Sequence, residues 1–120
     1  MAPSSDADVL DAGEIVWVEF GSPIGHEQAG RRPAIVVSPR NYNERSSLIL
    51  VCPITRNVSP WPFKVNIQNA GRIRGAVLVD HLRSVDREAR FVRRAEHADR
   101  VILAEVYGML LALLGVASST

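Results

Sequence analysis

The sequence predicts a small, curled, mostly antiparallel β-sheet or barrel that carries one helix near its C-terminal end. Five or six short apolar stretches rich in β-branched and aromatic residues are separated by turn signals about every ten residues. No helical pattern separates the early stretches, which disfavours a parallel α/β fold. Apolar residues at helical spacing occur near the C-terminus.

The length and composition indicate one domain. A chain of 120 residues, 47% of them hydrophobic, is long enough to bury a sizeable core. We assign the domain to residues 13–115, with a flexible acidic tail at 1–12 and a C-terminal tail at 116–120. The first segment resembles neither a signal nor a transit peptide, and no stretch approaches the ~20 apolar residues of a membrane span. We therefore expect a cytoplasmic protein without membrane contact.

The strands are assigned from their β-type composition, and the turns between them from Pro, Gly and Asn. A further extended stretch that contains three arginines is predicted after the fifth strand. The predicted strands are 14–20, 34–38, 48–54, 63–67 and 75–79, and the further stretch is 83–92.

The C-terminal helix is predicted to follow Asp99, which occupies an N-cap position, and to end at Gly115. Its leucines extend beyond one apolar stripe, which favours packing within the subunit and across a dimer. The stripe consists of Ile102, Val106, Met109, Leu110 and Leu113, widened by Leu103, Leu111 and Leu114.

The third predicted strand contains a proline near its end. Val51, Pro53 and Thr55 share one face by the two-residue period of a strand. Because proline cannot donate to a central ladder, we expect the Pro53 end to lie at a sheet edge or a strand terminus. We expect Thr55 to emerge where the sheet opens to solvent.

A glycine-containing loop followed by two arginines and a proline is a candidate anion site at residues 25–38. Pro33 disfavours a helical conformation at the preceding residue and so holds Arg32 extended at the start of a strand. The guanidinium is a fixed, charged fork that suits phosphate oxygens. On local chemistry alone, a merely solvated loop arginine is the commoner alternative.

The basic residues are thirteen arginines and one lysine. This bias favours bidentate contacts to phosphate or carboxylate, although a GC-rich genome gives the same bias without functional meaning. Cys52 is the single cysteine and lies in an apolar run, so we expect a small buried core residue without a disulfide.

Several segments in order resemble the MazF/PemK family of toxin endoribonucleases. They are GEIVWVEF, GHEQAGRRPAIVVSP, LILVCPIT, WPF and AVLVDHLRSVD, followed by a terminal helix ending in LLG. The resemblance covers about residues 13–115. Its specific part is the combination of EQAGRRP with the downstream PIT and the segment from Asp80 to Asp86.

The resemblance implies a plasmid-maintenance-toxin fold, similar to an SH3-like barrel, assembled as a homodimer. It implies sequence-specific cleavage of single-stranded RNA without a metal or other cofactor. The RNA 2′-hydroxyl attacks the phosphate, which leaves a 2′,3′-cyclic phosphate and a 5′-hydroxyl. It also implies a cognate antitoxin whose flexible acidic tail covers the RNA groove.

Carried over by motif position, the catalytic residues are Arg32, Thr55 and Glu27. Such a reaction needs a base for the 2′-hydroxyl, an acid for the leaving oxygen, and positive charge or donors on the phosphorane. Arg32 supplies charge, Thr55 a hydroxyl donor, and Glu27 is the candidate base. Two histidines depart from the family pattern, His26 and His81, and either is a candidate for acid–base chemistry or base stacking, with a polar surface role as the commoner alternative.

We expect RNA contacts from the loops that flank the groove, because single-stranded RNA is recognised by splayed bases that stack and hydrogen-bond. For Trp61, packing on the barrel is an equally good alternative to contact with RNA. The candidates are Gln28, Arg56, Trp61, His81 and Arg83.

Two other functions remain open from the sequence. One is a non-enzymatic toxin that binds DNA gyrase on the same fold; such relatives place a tryptophan near the C-terminus, whereas this chain ends LLGVASST. The other is an inactive member that only binds RNA, since motif residues alone do not prove turnover.

Overall fold

The computed structural model describes residues 9–22, 25, 29–67 and 71–116. In this part of the chain, seven strands, two α-helices and one 3-10 turn follow one another. They are β1 Glu14–Glu19, β2 Arg31–Val36, α1 Arg40–Asn43, β3 Leu48–Thr55, β4 Lys64–Asn66, β5 Ala76–Leu78, the 3-10 turn Val79–His81, β6 Arg83–Asp86, β7 Val92–His97 and α2 Arg100–Leu113.

Every strand pairs antiparallel with its neighbours, in the order β4-β5-β3-β2-β1-β7, and β6 pairs with β3. This confirms the prediction of a mainly β fold with a C-terminal helix. The sheet is open rather than closed, because β6 and β7 pair with different strands and not with each other among the described ladders.

The predicted stretch 83–92 divides into two strands. The Asp86 carbonyl accepts hydrogen bonds from the amides of Ala89 (3.2 Å) and Arg90 (2.9 Å), which turns the chain after β6. Strand β7 follows this turn at residues 92–97, where no strand was predicted, because its charged and largely exposed residues lack the alternation of a half-buried strand.

The sheet buries apolar side chains on both faces, as the two-residue period requires. One core cluster includes Ile35 and Cys52 and is covered by Ile102, Val106 and Leu110 of α2. The other core cluster lies on the opposite face and consists of Leu10, Val16, Val18, Phe20, Ala34, Val36, Ile49, Val51 and Val85.

Pro53 lies in the middle of the sheet, and this corrects the prediction of an edge or strand terminus. Along one side of β3, residues Leu48–Val51 pair with β6 and Ile54–Thr55 pair with β5. Pro53 falls in the gap between these two pairings, so neither pairing needs a hydrogen bond from the backbone N–H that proline lacks. Thr55 is buried, with 7% of its surface exposed, because β5 covers the end of β3, so the prediction that it emerges to solvent was wrong.

The described chain is packed from Val9 onward, so residues 9–12 do not belong to a loose tail. Val9 and Leu10 are buried. The side-chain amide of Asn43, fully buried, donates to the carbonyls of Leu10 (2.8 Å) and Ser38 (2.9 Å) and accepts from the Ser38 hydroxyl (2.5 Å). This network fastens the N-terminal segment to α1.

Helix α2 begins after Asp99, as predicted, although the Asp99 side chain makes no capping hydrogen bond. It ends in a Schellman arrangement: Gly115 has φ +72°, and the amide of Val116 donates to the carbonyl of Leu111 (2.9 Å). Within the described residues, none of the helices has the length and apolar character needed to cross a membrane.

Candidate active site

Strands β2 and β3 bring Arg32 and Thr55 together. Ala34 is paired with Pro53 in this antiparallel ladder. Continuing the same register by two residues places Arg32 opposite Thr55, and cross-strand partners lie on the same face. The two residues that the resemblance implies as catalytic, about twenty positions apart in sequence, are therefore neighbours at one end of the sheet.

The Arg32 side chain is exposed, and a backbone contact orients it. Its Nε donates a hydrogen bond of 2.8 Å to the carbonyl of Ala29. This contact leaves the donors of the two terminal nitrogens for a ligand, in the fork geometry that suits phosphate oxygens. Arg32 is thus a pre-oriented cation at the surface.

The Thr55 hydroxyl also has a fixed position. Its Oγ1 accepts a hydrogen bond of 3.1 Å from the amide of Asn57, which shapes the turn after β3 and leaves the hydroxyl proton available to donate. Gly75, with φ +133°, lies directly against Thr55, because a Cβ placed on it would lie 2.1 Å from the Thr55 carbonyl oxygen. The position of Thr55 therefore depends on a glycine at residue 75.

An open cleft of about 640 Å³ lies next to Arg32, which lines it together with Ile54 and Arg56, the two sequence neighbours of Thr55; Thr55 itself is not among the lining residues. Its floor is apolar, formed by Trp17, Pro33, Ile54 and Ile73. Among its described lining residues none is acidic, so its charge is positive and suits a polyanion. The arginines that line it are Arg31, Arg32, Arg56, Arg72 and Arg74.

Glu96 on β7 holds the segment that carries two of these arginines. One carboxylate oxygen accepts from the amide of Arg72 (2.9 Å), and both oxygens lie 3.4 Å from the amide of Ile73. The Arg74 guanidinium in turn donates to the carbonyl of Gly71. These contacts fix residues 71–74 at the rim of the cleft.

The other residues predicted to contact RNA do not all lie at the cleft. Arg56 lines the cleft. Trp61, half-exposed, packs edge-to-face on Phe63 with a centroid separation of 5.6 Å, and its Nε1 donates to Asp80 Oδ2 (3.3 Å), next to His81. Neither Trp61 nor His81 lines the cleft.

Arg83 lies on a third part of this surface. It pairs with Val51, on the face of β3 that carries Thr55, and its guanidinium carbon lies 5.2 Å from the centre of the Phe20 ring. Glu27, Gln28 and His26 lie outside the described residues.

Sequence reasoning missed three arginines that line the cleft, Arg31, Arg72 and Arg74, and it missed Glu96, which holds the segment of two of them. The alternation Arg72-Ile73-Arg74 beside a glycine was the available signal, since a period of two places both arginines on one side. The predicted burial of Cys52 is confirmed. Burial, with a smaller contribution from the charge of Asp80, raises the pKa of this thiol to about 12, which keeps it neutral and unreactive.

The described residues thus form a curled antiparallel sheet with an arginine-lined cleft, and the positive charge of such a cleft suits a polyanion. Comparison with known proteins gives the family. Residues 11–114 match the family described as PemK-like, MazF-like toxin of type II toxin-antitoxin system. This chain therefore belongs to that toxin family.

Individual relatives agree. The endoribonuclease toxin MazF of Escherichia coli strain K12 is 39% identical over 82 residues, which cover 68% of this chain and 73% of that protein. The crystal structure of MazF (Form-I) from Deinococcus radiodurans matches with a TM-score of 0.83 and 44% identity, covering 89% of this chain and 97% of that one. A MazE-MazF (Form-II) structure from the same organism matches with a TM-score of 0.78 and 39% identity, covering 91% and 98%.

Proposed function

We propose that this toxin is an endoribonuclease that cleaves single-stranded RNA at specific sequences without a metal ion. Two observations carry the proposal: the β2–β3 register, which when continued by two residues places Arg32 opposite Thr55, and the arginine-lined cleft that Arg32 itself lines. Support also comes from the relatives, since the E. coli MazF named above is an endoribonuclease toxin. The site of action is the cytoplasm, where messenger RNA is translated.

In the proposed reaction, the 2′-oxygen of one nucleotide forms a bond to the adjacent phosphorus while the bond to the 5′-oxygen of the next nucleotide breaks. The products are a 2′,3′-cyclic phosphate and a 5′-hydroxyl. Arg32 stabilises the charge that builds on the phosphorane, and the Thr55 hydroxyl donates to one of its oxygens. Glu27, which lies five residues before Arg32 in the motif, is the proposed base for the 2′-hydroxyl proton, and water supplies the proton that the leaving 5′-oxygen takes up.

The RNA is proposed to enter along the cleft, with its phosphates on the arginines. Arg56 contributes from the cleft itself. Trp61, His81 and Arg83 are proposed to contact bases further along the strand, together with Gln28. Single-stranded RNA fits this arrangement because its bases are free to stack on aromatic and guanidinium planes.

We further propose a cognate antitoxin and a homodimer. An acidic, flexible antitoxin segment would complement the positive cleft, and solved MazE-MazF complexes contain relatives of this chain. The C-terminal end of α2 exposes a run of large apolar side chains that a second copy would cover. These are Leu111, Leu113, Leu114 and Val116.

The test is incubation of the purified protein with long single-stranded RNA in EDTA, followed by mapping of the cut ends. We expect discrete cuts with a cyclic phosphate and a 5′-hydroxyl, lost in Arg32→Ala and Thr55→Val. Arg45→Ala, an exposed arginine outside the cleft, is the matched control and should cut normally. RNA binding without cuts on any RNA would instead identify an inactive binding member.

A further inference from the structure

A second concavity of about 270 Å³ adjoins the arginine-lined cleft. It is lined by Trp17, Arg31, Phe91 and Arg93. Trp17 and Arg31 line both spaces, so the two form one continuous groove across the sheet. The groove runs from the Arg32 end of β2, over β1, to β7.

Strand pairing and ring contacts hold these side chains in place. Trp17 is paired with Pro33 on β2 and with Arg93 on β7, so all three lie on one face. The Arg31 guanidinium carbon lies 4.0 Å from the centre of the Phe91 ring, a cation–π distance. The second concavity therefore presents aromatic and guanidinium surfaces in a fixed arrangement.

The charge of the second concavity is also positive. Arg31 Nε lies 4.0 Å from Glu19 Oε1, but both side chains are largely exposed, so this pair contributes little and yields readily to a stronger anion. Arg93 adds a second positive charge on the other side of Trp17. A ligand with both a planar ring and a phosphate matches this combination, whereas an acidic peptide uses the charge but not the rings.

We propose that this second concavity is a nucleobase-binding subsite, which holds a nucleotide that flanks the scissile phosphate of a single-stranded RNA. The inference rests on the proposed function. Arg32 lines the first cleft, and Trp17 and Arg31 line both spaces, so the groove leads from the proposed reacting phosphate to the second concavity. The base stacks among Trp17, Phe91 and the Arg31 plane, and its phosphate lies on Arg31 or Arg93.

Fluorescence of Trp17 reports on this subsite directly. In a Trp61→Phe background, Trp17 is the sole tryptophan. The probe is a 2′-O-methyl oligonucleotide that carries the cut sequence mapped in the cleavage experiment, since its blocked 2′-oxygen prevents reaction. We expect saturable quenching of Trp17 that parallels binding measured by anisotropy of the same labelled probe.

Phe91 is the residue to vary, because it is exposed and its truncation leaves the core intact. Loss of one stacked base weakens binding by about 5- to 150-fold, so we expect Phe91→Ala to raise the dissociation constant and KM within that range with little change in kcat. Phe91→Tyr keeps the aromatic face and should bind normally. Phe91→Leu keeps apolar area without the face and should behave like Phe91→Ala.

Several results would overturn the subsite. In one such result, anisotropy shows that the probe is bound while the emission of Trp17 is unchanged. In another, Phe91→Leu binds the probe as tightly as the unmodified protein, which would show that Phe91 acts by packing and not by stacking. Quenching by a polyglutamate peptide but not by the oligonucleotide would assign the groove to an acidic protein segment. In each of these cases the unmodified protein would still cleave RNA. If the proposed function is wrong, the unmodified protein does not cleave RNA at all, so the two failures are distinguishable.

Discussion

Replacing Gly75 by alanine should damage both stability and cleavage, because this glycine touches the backbone of Thr55. A Cβ at residue 75 would lie 2.1 Å from the Thr55 carbonyl oxygen, and contacts under 3.0 Å essentially never occur. Strand β5 would have to move away from β3 by about 0.9 Å. The backbone at φ +133° adds a strain of about 1–3 kcal/mol for any side chain.

We expect Gly75→Ala to lower the melting temperature by roughly 10 °C, since about 2 kcal/mol corresponds to such a shift in a domain of this size. Cleavage measured well below the melting temperature should fall further than the folded fraction does, because a 1 Å displacement of a catalytic group costs up to about 100-fold. Thermal denaturation and initial cleavage rates on the same preparations give both quantities.

Two glycines in α2 and at its end provide matched controls. Gly108 has no atom within 4 Å of its would-be Cβ and ordinary helical backbone, so Gly108→Ala should leave cleavage unchanged and stabilise by about 0.5–1 kcal/mol. Gly115 has φ +72° but equally open surroundings, so its substitution isolates strain of about 1–2 kcal/mol without a clash. A Gly75→Ala protein that melts and cuts like the unmodified protein would refute the close approach.

Three further predictions concern the core, the cleft rim and the thiol. Asn43→Ala leaves three buried polar partners unsatisfied and should destabilise by about 3 kcal/mol in denaturant titration, whereas Asn41→Ala, exposed on the same helix, should be neutral; equal midpoints would contradict the network. Glu96→Ala releases the amide of Arg72 and should weaken oligonucleotide binding about tenfold by anisotropy, with partial recovery in Glu96→Gln, which keeps one acceptor oxygen. Burial raises the pKa of the Cys52 thiol from 9.0 to about 12, so the thiol should resist iodoacetamide at pH 9.5 in the folded protein and react after unfolding. The contribution of this thiol to stability is complete below pH 9 and is lost as the pH rises toward 12. Rapid labelling of the folded protein would show that the thiol is accessible.

The local spacing of apolar residues predicted those strands and that helix whose burial follows a regular pattern. Strands β1 and β3 and helix α2 were located to within a residue or two, because the first two are apolar runs with β-branched residues and the helix has a clear apolar stripe. Strand β7 was missed since it pairs with β1 at the edge of the sheet, and an exposed edge strand carries charge instead of alternation.

The site could be predicted only where a motif carried it. The resemblance pointed to Arg32 and Thr55, but their adjacency depends on the register between β2 and β3, which no local pattern encodes. The same limit explains why Thr55 was expected at the surface. Its burial is imposed by Gly75 and β5, twenty residues further along the chain.

The two adjacent arginines of β2 connect the proposed chemistry with the proposed subsite. Successive residues of a strand point to opposite faces, so Arg32 shares the face of Thr55 while Arg31 shares that of Trp17. If one strand thus serves both tasks, Arg32→Ala should lower kcat by about 100- to 1,000-fold, as loss of a charge-stabilising donor does. Arg31→Ala should chiefly raise KM, because it removes binding made equally in ground and transition states. Steady-state kinetics on one RNA distinguish these outcomes, and a fall in kcat alone for Arg31→Ala would show that both arginines act on the reacting phosphate.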